Sequence, residues 1–299
     1  MRIGVDLGGT KIEAIAIDSA GRELARRRVP SPARDYDEIV AAIAGLVAEL
    51  EGALGATGSV GVGIPGVISP ATGLVKNANT TVLIGRPFDR DLCVRLGREV
   101  RLANDANCFV MSEAADGAAA GAAVVFGVIL GTGVGGGLVI DGRIMPGANA
   151  IAGEWGHNPL PWPTDDERPG QRCYCGRRGC IETFLSGPGL ARDFAHAAGR
   201  SLDVPGIVAA AAAGDGPAGA ALERYMDRLA RALATVINIV DPDVIVLGGG
   251  LSNLAQLYDT VPRRWAAFVF SDAVRTRLVR ARHGDSSGVR GAAWLWPAS

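Results

Sequence analysis

The sequence predicts an α/β protein built from two domains of similar plan. The stretch from Gly4 to Asp18 and the stretch from Gly127 to Asp141 have the same length and nearly the same pattern of apolar residues around a Gly/Thr turn. Strand-like and helix-like patterns alternate along the rest of the chain, which is typical of α/β architecture with mixed sheets. A chain of 299 residues is long enough for roughly two domains with large cores.

Both matching stretches predict a β-hairpin whose turn can hold a phosphate group. An apolar run, Ile3–Leu7 in the first copy and Phe126–Leu130 in the second, is followed by glycines and a threonine. Glycine supplies the positive φ of a tight turn and lets backbone N–H groups approach a ligand. One such hairpin is equally consistent with an ordinary tight turn. Two such hairpins at matching positions favour a duplicated domain that binds a polyphosphate from both sides.

The two copies differ in charge. Asp6 and Lys11 of the first copy align with Ile129 and Val134 of the second. A carboxylate at the end of a buried strand is costly unless it is paired or bound to a cation. We therefore expect the first hairpin to handle the charged phosphate and its metal ion, and the second to act through backbone groups alone.

The remaining elements follow from apolar periodicity and from glycine and proline breaks. In the first half the patterns predict, in order, a strand at Glu23–Val29, a helix at Tyr36–Leu54, a strand at Val60–Ile64, a helix at Asp91–Leu96, a strand at Val100–Leu102 and a helix at Ala106–Ala120. In the second half they predict helical parts of Leu190–Gly214, a long helix from Leu222 to Val240, a strand at Val244–Leu247 and a terminal helix at Gly291–Trp296.

These elements predict two domains. The first comprises residues 1–115, joined by a C-terminal helix at about 289–299, and the second comprises residues 116–288 with a metal-binding insertion. The strand at Val244–Leu247 leads into Gly248–Gly250 and then into a new helix, a geometry suited to a nucleotide.

Composition and charge exclude several classes of protein. The net charge of −1 shows no excess of positive charge with which to bind nucleic acid or an anionic membrane. The stretch Gly117–Ile140 is uncharged and long enough to span a bilayer, but its eight glycines favour two strands of a soluble protein. Five cysteines without a signal-peptide pattern fit a reducing compartment. We therefore expect a cytoplasmic protein with no nucleic-acid or membrane partner.

Asn104 and Asp105 follow a predicted strand and precede a predicted helix. An aspartate at this position is most often a helix N-cap. In the functional interpretation, Asp105 is a general base that takes the proton from an attacking hydroxyl, because phosphoryl transfer needs mainly positioning and one well-placed carboxylate. The presence of two phosphate hairpins favours the general base.

One histidine and three cysteines predict a zinc site. His157, Cys173, Cys175 and Cys180 offer the four ligands of a tetrahedral ion, and such a closed set is typical of structural zinc. Free cysteines are the alternative, but three thiols within eight residues favour the metal.

Two acidic residues flank these ligands in the sequence. Glu154 and Glu182 could be surface charges, or they could hold a polyol by its hydroxyls on the support that the metal provides. His157 could bind zinc through one ring nitrogen and substrate through the other.

Together these residues resemble the ROK family of sugar kinases (repressors, open reading frames and kinases), within the sugar kinase, heat-shock chaperone and actin fold. The resemblance covers essentially the whole chain and implies two duplicated actin-like, ribonuclease H-like domains with a cleft between them. Its motifs are DLGGTK (Asp6–Lys11), NDAN (Asn104–Asn107), GTGVGGG (Gly131–Gly137), GEWGH (Gly153–His157) and CYCGRRGCIE (Cys173–Glu182).

The resemblance implies roles for individual residues. For ATP phosphates with Mg²⁺ it implies Asp6, Gly8, Gly9, Thr10, Lys11, Gly131, Thr132 and Gly133, and for adenosine it implies Gly248, Gly249 and Gly250. For the sugar it implies Asn104, Asp105, Glu154, His157 and Glu182, with Gly66 and Asn79 as neighbours. Asp105 would be the general base, zinc would be structural, and the protein would be a homodimer.

Within this family, the runs GEWGHNPLPW, KNANTT and HGDSSGVRGAAWLWP look closest to bacterial fructokinases that also accept mannose. We therefore expect ATP-dependent phosphorylation of D-fructose at its 6-hydroxyl, with mannose and glucose as poorer substrates. N-acetylglucosamine kinase is the alternative within the family, and a sugar sensor without catalysis is an alternative of another class. The repressor branch, which carries an added N-terminal helix-turn-helix, is disfavoured because this chain begins at its first strand.

Overall fold

The structure is a computed structural model that describes residues 1–297. The strands of the first part of the chain are β1 (Arg2–Leu7), β2 (Lys11–Ile17), β3 (Glu23–Pro30), β4 (Ser59–Ile64), β5 (Val67–Ile68), β6 (Val75–Lys76) and β7 (Val100–Asn104). The helices there are α1 (Tyr36–Leu54), α2 (Phe88–Leu96) and α3 (Asp105–Ala115).

The first sheet has the strand order β3-β2-β1-β4-β7. Strands β1 and β2 form the predicted hairpin, antiparallel from the pair Arg2 and Ile17 to the pair Leu7 and Ile12. Strand β4 is parallel to both β1 and β7. One face of this sheet contributes apolar side chains such as Ile3 to a core that also contains α1. The parallel arrangement brings the carboxyl ends of β1, β4 and β7 to one edge of the sheet.

Helix α1 has the bounds that apolar periodicity predicts. The side chain of Asp35 accepts a hydrogen bond from the backbone N–H of Glu38 at its start, and Gly55 ends it in the left-handed conformation. Helix α3, in contrast, ends at Ala115 and not at the predicted Ala120. The buried carboxylate of Glu113 accepts a hydrogen bond from the N–H of Ala118, and the chain turns there.

The second part of the chain carries strands β8 (Val124–Leu130), β9 (Val134–Ile140), β10 (Arg143–Ile144), β11 (Val244–Gly248) and β12 (Arg277–Arg280). Its helices are α4 (Ile181–Leu185), α5 (Gly187–Ala198), α6 (Val204–Ala212), α7 (Gly216–Val240), α8 (Leu257–Trp265) and α9 (Ser287–Ala293). The second sheet has the order β10-β9-β8-β11-β12, with β11 parallel to both of its neighbours. The predicted second hairpin is thus β8 and β9.

Helix α9 lies directly on the first sheet because glycines face it. A Cβ atom at Gly4 would lie 2.1 Å from the carbonyl oxygen of Val289, and one at Gly61 would lie 1.9 Å from that of Ala292. Such separations are far inside van der Waals contact, so only glycine allows this approach. The helix begins earlier than the predicted Gly291 and ends at Ala293. Residues 298 and 299 of the C-terminal helix predicted at about 289–299 lie outside the described residues.

The chain divides into two compact units. The first comprises residues 1–121, 138–152 and the C-terminal residues from 282, and the second comprises residues 122–137 and 153–281. The segment 138–152, which the sequence prediction gave to the second domain, groups with the first unit, and its strand β10 contacts α3. Within residues 1–297, no helix has the length and apolar character needed to cross a membrane.

Candidate functional site

The first unit has a cavity at the carboxyl ends of its parallel strands. Its volume is about 540 Å³, and its lining consists of Asp6, Leu7, Gly8, Gly9, Ala33, Pro65, Asn79, Thr80, Thr81 and Asp105. The structure therefore brings together the first phosphate hairpin, the predicted base and the predicted sugar contact Asn79. The sequence analysis assigned no individual role to Ala33, Pro65, Thr80 or Thr81, although the run KNANTT contains both threonines.

Asp6 is a desolvated carboxyl in this cavity. Burial, followed by the negative charges of Asp105 and Glu13, raises its pKa to about 6, and Lys11 partly opposes this. A divalent cation would relieve this repulsion, so the carboxyl suits the Mg²⁺ that accompanies ATP.

The turn of the first hairpin is closed by backbone hydrogen bonds. The N–H of Gly8 donates to the carbonyl oxygen of Lys11 at 3.0 Å, and the N–H of Ser31 donates to that of Thr10 at 3.0 Å. Gly9 and Thr10 are exposed at the tip. The hairpin forms where it was predicted, but neither Gly8 nor Gly9 has the positive φ expected of its turn glycines. Gly9 and Thr10 remain open to a ligand.

Asp105 is the first residue of α3, and Asn104 is its N-cap. The Oδ1 atom of Asn104 accepts a hydrogen bond from the backbone N–H of Asn107 at 2.8 Å. Desolvation raises the pKa of Asp105, and a hydrogen bond from the N–H of Ala106 opposes that rise. The capping role belongs to Asn104, which leaves the Asp105 carboxyl available for chemistry.

The loop after β4 brings Gly66 close to Asn79. The N–H of Asn79 donates to the carbonyl oxygen of Pro65 at 3.1 Å. A Cβ atom at Gly66 would lie 2.8 Å from the Cβ atom of Ala78. A side chain larger than glycine at position 66 would push the segment that carries Asn79 away from its place at the cavity.

In the second unit, the four predicted zinc ligands form one cluster. The ligand atoms of His157, Cys173, Cys175 and Cys180 all lie within 4.8 Å of one another. The Sγ atom of Cys173 is 3.6 Å from Nδ1 of His157, and the Sγ atoms of Cys175 and Cys180 are 3.6 Å apart. Tetrahedral zinc with bonds of about 2.0–2.3 Å separates its ligands by roughly 3.3–3.8 Å. The geometry of this cluster therefore fits zinc.

The other ring nitrogen of His157 has a protein partner. Its Nε2 atom lies 2.9 Å from the hydroxyl oxygen of Tyr174, whose side chain is exposed. A substrate hydroxyl at Nε2 would replace this exposed phenol.

Glu182 joins the cluster of His157 and the three cysteines to the second predicted phosphate hairpin. Its Oε2 atom accepts a hydrogen bond from the N–H of Val134 at 2.9 Å, and its Oε1 atom lies 3.8 Å from Sγ of Cys173. A Cβ atom at position 133 would lie 2.7 Å from Oε2, so Gly133 makes room for this carboxylate. Glu154 lies just before the 3₁₀ turn Trp155–His157 and is exposed.

The two predicted nucleotide segments of the second unit are neighbours. The carbonyl oxygen of Gly131 accepts a hydrogen bond from the N–H of Gly187, the first residue of α5, at 2.8 Å. Gly249 has a φ of 80°, and a Cβ atom there would lie 2.4 Å from the carbonyl oxygen of Leu130. Gly249 therefore packs against the end of β8, next to the Gly131–Thr132–Gly133 turn. The residues after Gly249 form the 3₁₀ turn Gly250–Asn253, and the predicted new helix, α8, begins at Leu257.

Comparisons with known proteins identify the family. Residues 2–299 match the model described as "ROK family". The chain belongs to the ROK family. It is 43% identical over 299 residues to the N-acetyl-D-glucosamine kinase of Pectobacterium atrosepticum, covering 99% of this chain and 98% of that protein. It is 45% identical over 299 residues to the N-acetyl-D-glucosamine kinase of Salmonella gallinarum, covering 99% of each.

Solved structures agree with this ROK assignment. The ROK hexokinase of Thermus thermophilus matches with a TM-score of 0.87 and 32% identity, covering 98% of this chain and 97% of that one. A ROK glucokinase of Streptomyces griseus, solved with glucose and AMPPNP, matches with a TM-score of 0.75 and 29% identity, covering 100% and 99%. The predicted fold class and the prediction of a ROK sugar kinase are confirmed. The relatives support the N-acetylglucosamine alternative better than the fructokinase prediction.

Proposed function

We propose that this protein is an ATP-dependent N-acetyl-D-glucosamine kinase that transfers the γ-phosphoryl group of ATP to the sugar's 6-hydroxyl. The observation that supports kinase chemistry most directly is the cavity that holds both Asp105 and the Gly8–Gly9 turn. The choice of sugar is supported by identities of 43% and 45% to two N-acetyl-D-glucosamine kinases over 99% of the chain. Fructose has no comparable support among these relatives.

In the proposed reaction, Asp105 acts on the sugar hydroxyl. Its carboxylate accepts the hydroxyl proton while the hydroxyl oxygen bonds to the γ-phosphorus, and the bond from that phosphorus to the bridging oxygen breaks to release ADP. The products are the sugar phosphate, ADP and one proton. The desolvation that raises the pKa of Asp105 makes it a better proton acceptor than an ordinary aspartate.

The chain contributes phosphate-binding groups in both units. In the first unit these are the turn from Gly8 to Thr10 and the cation Lys11, and in the second they are the Gly131–Thr132–Gly133 turn and the glycines at 248–250. Mg²⁺ would neutralise phosphate charge, with Asp6 as the carboxylate that favours its presence. Asn104, Glu154, His157 and Glu182 are the proposed contacts for the sugar hydroxyls, with Gly66 and Asn79 close by.

Zinc is proposed as a structural ion of the second unit. His157, Cys173, Cys175 and Cys180 would hold it, and the metal would tie the 3₁₀ turn at His157 to the start of α4, which carries Glu182. We further propose that the protein acts as a homodimer in the cytoplasm.

The product of the reaction tests this function. Purified protein, ATP, Mg²⁺ and N-acetylglucosamine should yield ADP and a sugar monophosphate, and ³¹P–¹H correlation spectroscopy should place the phosphate on the 6-hydroxyl. ADP release without a sugar phosphate would show a nucleotidase. No turnover with any hexose, combined with retained sugar binding in calorimetry, would favour the sensor.

A further inference from the structure

We infer that Glu13 is a positioning residue that holds Lys11 in place for the phosphates of ATP, an inference that rests on the proposed function. Lys11 and Glu13 are two residues apart on β2. Alternate side chains of a strand point to the same face, and the Nζ atom of Lys11 lies 3.3 Å from Oε2 of Glu13. The two side chains differ greatly in exposure, 40% for Lys11 and 4% for Glu13.

Two arginines of the neighbouring strand keep Glu13 charged. Glu13 is paired with Arg28 in the register of β2 and β3, and Nη2 of Arg28 lies 2.7 Å from the same Oε2 atom that faces Lys11. Arg26 forms an ion pair with the other carboxylate oxygen, Oε1. A buried carboxylate is stable only with such partners. Burial alone would raise the pKa of Glu13, but hydrogen bonds from these cations lower it.

The ion pair leaves Lys11 able to attract phosphate. Arg26 also pairs with the exposed residue Glu23. Lys11, Arg26 and Arg28 stand beside three carboxyl groups, Glu13, Glu23 and Asp6, the last of which is paired with Glu13 in the register of β1 and β2. The side chain of Lys11 stays 40% exposed, so its ammonium group can still reach a ligand. A buried glutamate alone beside Lys11 would cancel its charge, whereas a glutamate already shared by two guanidinium groups orients the lysine and leaves its ammonium charge available for phosphate.

The ion pair of Lys11 and Glu13 lies beside the hairpin turn that is proposed to bind the phosphates of ATP. The carbonyl oxygen of Lys11 closes the turn by accepting from the N–H of Gly8, and Gly8 lines the cavity. A lysine with four rotatable bonds loses rotamer freedom when it binds a phosphate oxygen. Because Glu13 already restricts that side chain, less freedom remains to be lost when ATP binds.

The test is a double-mutant cycle on nucleotide affinity. The dissociation constant of AMPPNP with Mg²⁺ is measured by calorimetry, without sugar, for the full chain and for Glu13→Gln, Lys11→Met and the double variant. We expect Glu13→Gln to weaken binding about fivefold in the wild-type background and less than twofold in the Lys11→Met background. Glu23→Gln is the matched control, because it removes a carboxylate from Arg26 without touching Lys11, and it should change affinity less than twofold.

The readouts separate positioning from a structural role. If Glu13→Gln weakens AMPPNP binding equally in both backgrounds, or no more than Glu23→Gln does, the inference is wrong. If Glu13→Gln does not fold by circular dichroism, Glu13→Asp replaces it in the cycle, because it keeps the charge for the arginines while it lengthens the gap to Lys11. Failure of the wild-type chain to bind AMPPNP would overturn the proposed kinase function together with this inference, whereas an unexpected sugar preference would leave the inference intact.

Discussion

The Oδ1 atom of Asn104 accepts a hydrogen bond from the backbone N–H of Asn107 at 2.8 Å, which makes Asn104 the cap of α3. The neighbouring residue Asp105 is not the N-cap, although sequence statistics favour aspartate for that role; its Oδ1 atom accepts from the N–H of the adjacent Ala106, at 2.8 Å, a bond that the side-chain oxygen of asparagine can also accept. Its carboxyl lines the cavity that also contains Asp6 and the Gly8–Gly9 turn. This arrangement makes the function of Asp105 testable apart from the stability of the helix.

Replacement of Asp105 by asparagine should remove the proposed general base and preserve the fold. Asparagine has the same shape but accepts no proton at neutral pH, so we expect kcat to fall by roughly 10²–10⁴-fold while the affinity for sugar changes little. Steady-state kinetics and thermal unfolding measure the two effects. Asp37→Asn, in the exposed first turn of α1, is the matched control. A variant that turns over within a few-fold of the wild type would mean that another group is the base.

Metal analysis should find about one zinc ion per chain. Cys175→Ser should release it, and the loss should weaken sugar binding more than ATP binding, because Glu182 follows the cluster directly while the glycines at 248–250 are carried by β11. Cys93→Ser is the matched control, since Cys93 lies on α2 outside the cluster. Wild-type protein purified without chelator and free of zinc would contradict the assignment.

Asp6 should lower the stability of the nucleotide-free protein at neutral pH. Its folded-state pKa of about 6 exceeds the ordinary value of 3.8, so the folded protein holds this proton more tightly than the unfolded chain does. Stability should therefore fall as the pH rises from about 4 to about 6. We expect Asp6→Asn to unfold roughly 2–4 °C higher than the wild type at pH 7.5, and to show no gain at pH 4.

The same variant should lose activity. Turnover by Asp6→Asn should be impaired and should respond to Mg²⁺ concentration, because the carboxylate favours the metal that accompanies ATP. Scanning calorimetry across this pH range, with Asp37→Asn beside it, checks the stability effect. An unchanged unfolding temperature at pH 7.5 would show that the Asp6 carboxyl is not penalised by its surroundings.

Glu167 should be a main source of stability in the second unit. Its buried carboxylate accepts a hydrogen bond from Nε of Arg228 at 2.7 Å and another from Nη2 of Arg231 at 2.8 Å. Burial alone would raise its pKa, but the two arginines lower it to about 2. Glu167→Gln removes a carboxylate from two buried arginines, of which Arg228 keeps Asp193 and Arg231 keeps Asp227. We therefore expect a loss of about 1–3 kcal/mol in the free energy of unfolding.

Urea unfolding measures this loss, and the exposed neighbour Asp165 supplies the control. Asp165→Asn should change stability by no more than about 0.5 kcal/mol. The contribution of Glu167 should be present above pH 4.5 and decline as the pH falls toward 2, because its folded-state pKa lies below the ordinary value of 4.5. If both substitutions changed the free energy of unfolding equally, the ion pairs of Glu167 would not be a main source of stability.

Sequence patterns predicted the parts of the fold in which local chemistry decides structure. The periodicity of α1 and the positions of both hairpins are examples, as is the close spacing of the predicted zinc ligands. The turn glycines Gly8, Gly9, Gly131 and Gly133 lack the positive φ that was expected of them. The start of helix α9 was predicted too late in the sequence because its first residues are rich in serine and glycine. Gly291 allows the helix to pack closely against the backbone of Cys108, a contact that no local pattern reveals.

Long-range electrostatics explains what the sequence could not show. No local pattern marks Glu13 or Glu167 as buried, since their arginine partners lie 13 to 64 residues away. The sequence could not decide which of Asn104 and Asp105 caps α3 and which is the proposed base, because both residue types are good N-caps. The preferred sugar depends on the shape of the cavity around neutral residues such as Ala33 and Pro65, which periodicity and motifs leave unspecified.

The most direct test of the central claim is the comparison of kcat/KM for N-acetylglucosamine and fructose, with mannose and glucose measured beside them, in one assay of ADP release. The account predicts that N-acetylglucosamine exceeds fructose by tenfold or more, since a site built around polar groups rejects a sugar that leaves them unpaired. A tenfold preference for fructose would contradict the proposed substrate and restore the fructokinase prediction, while the ROK assignment would stand.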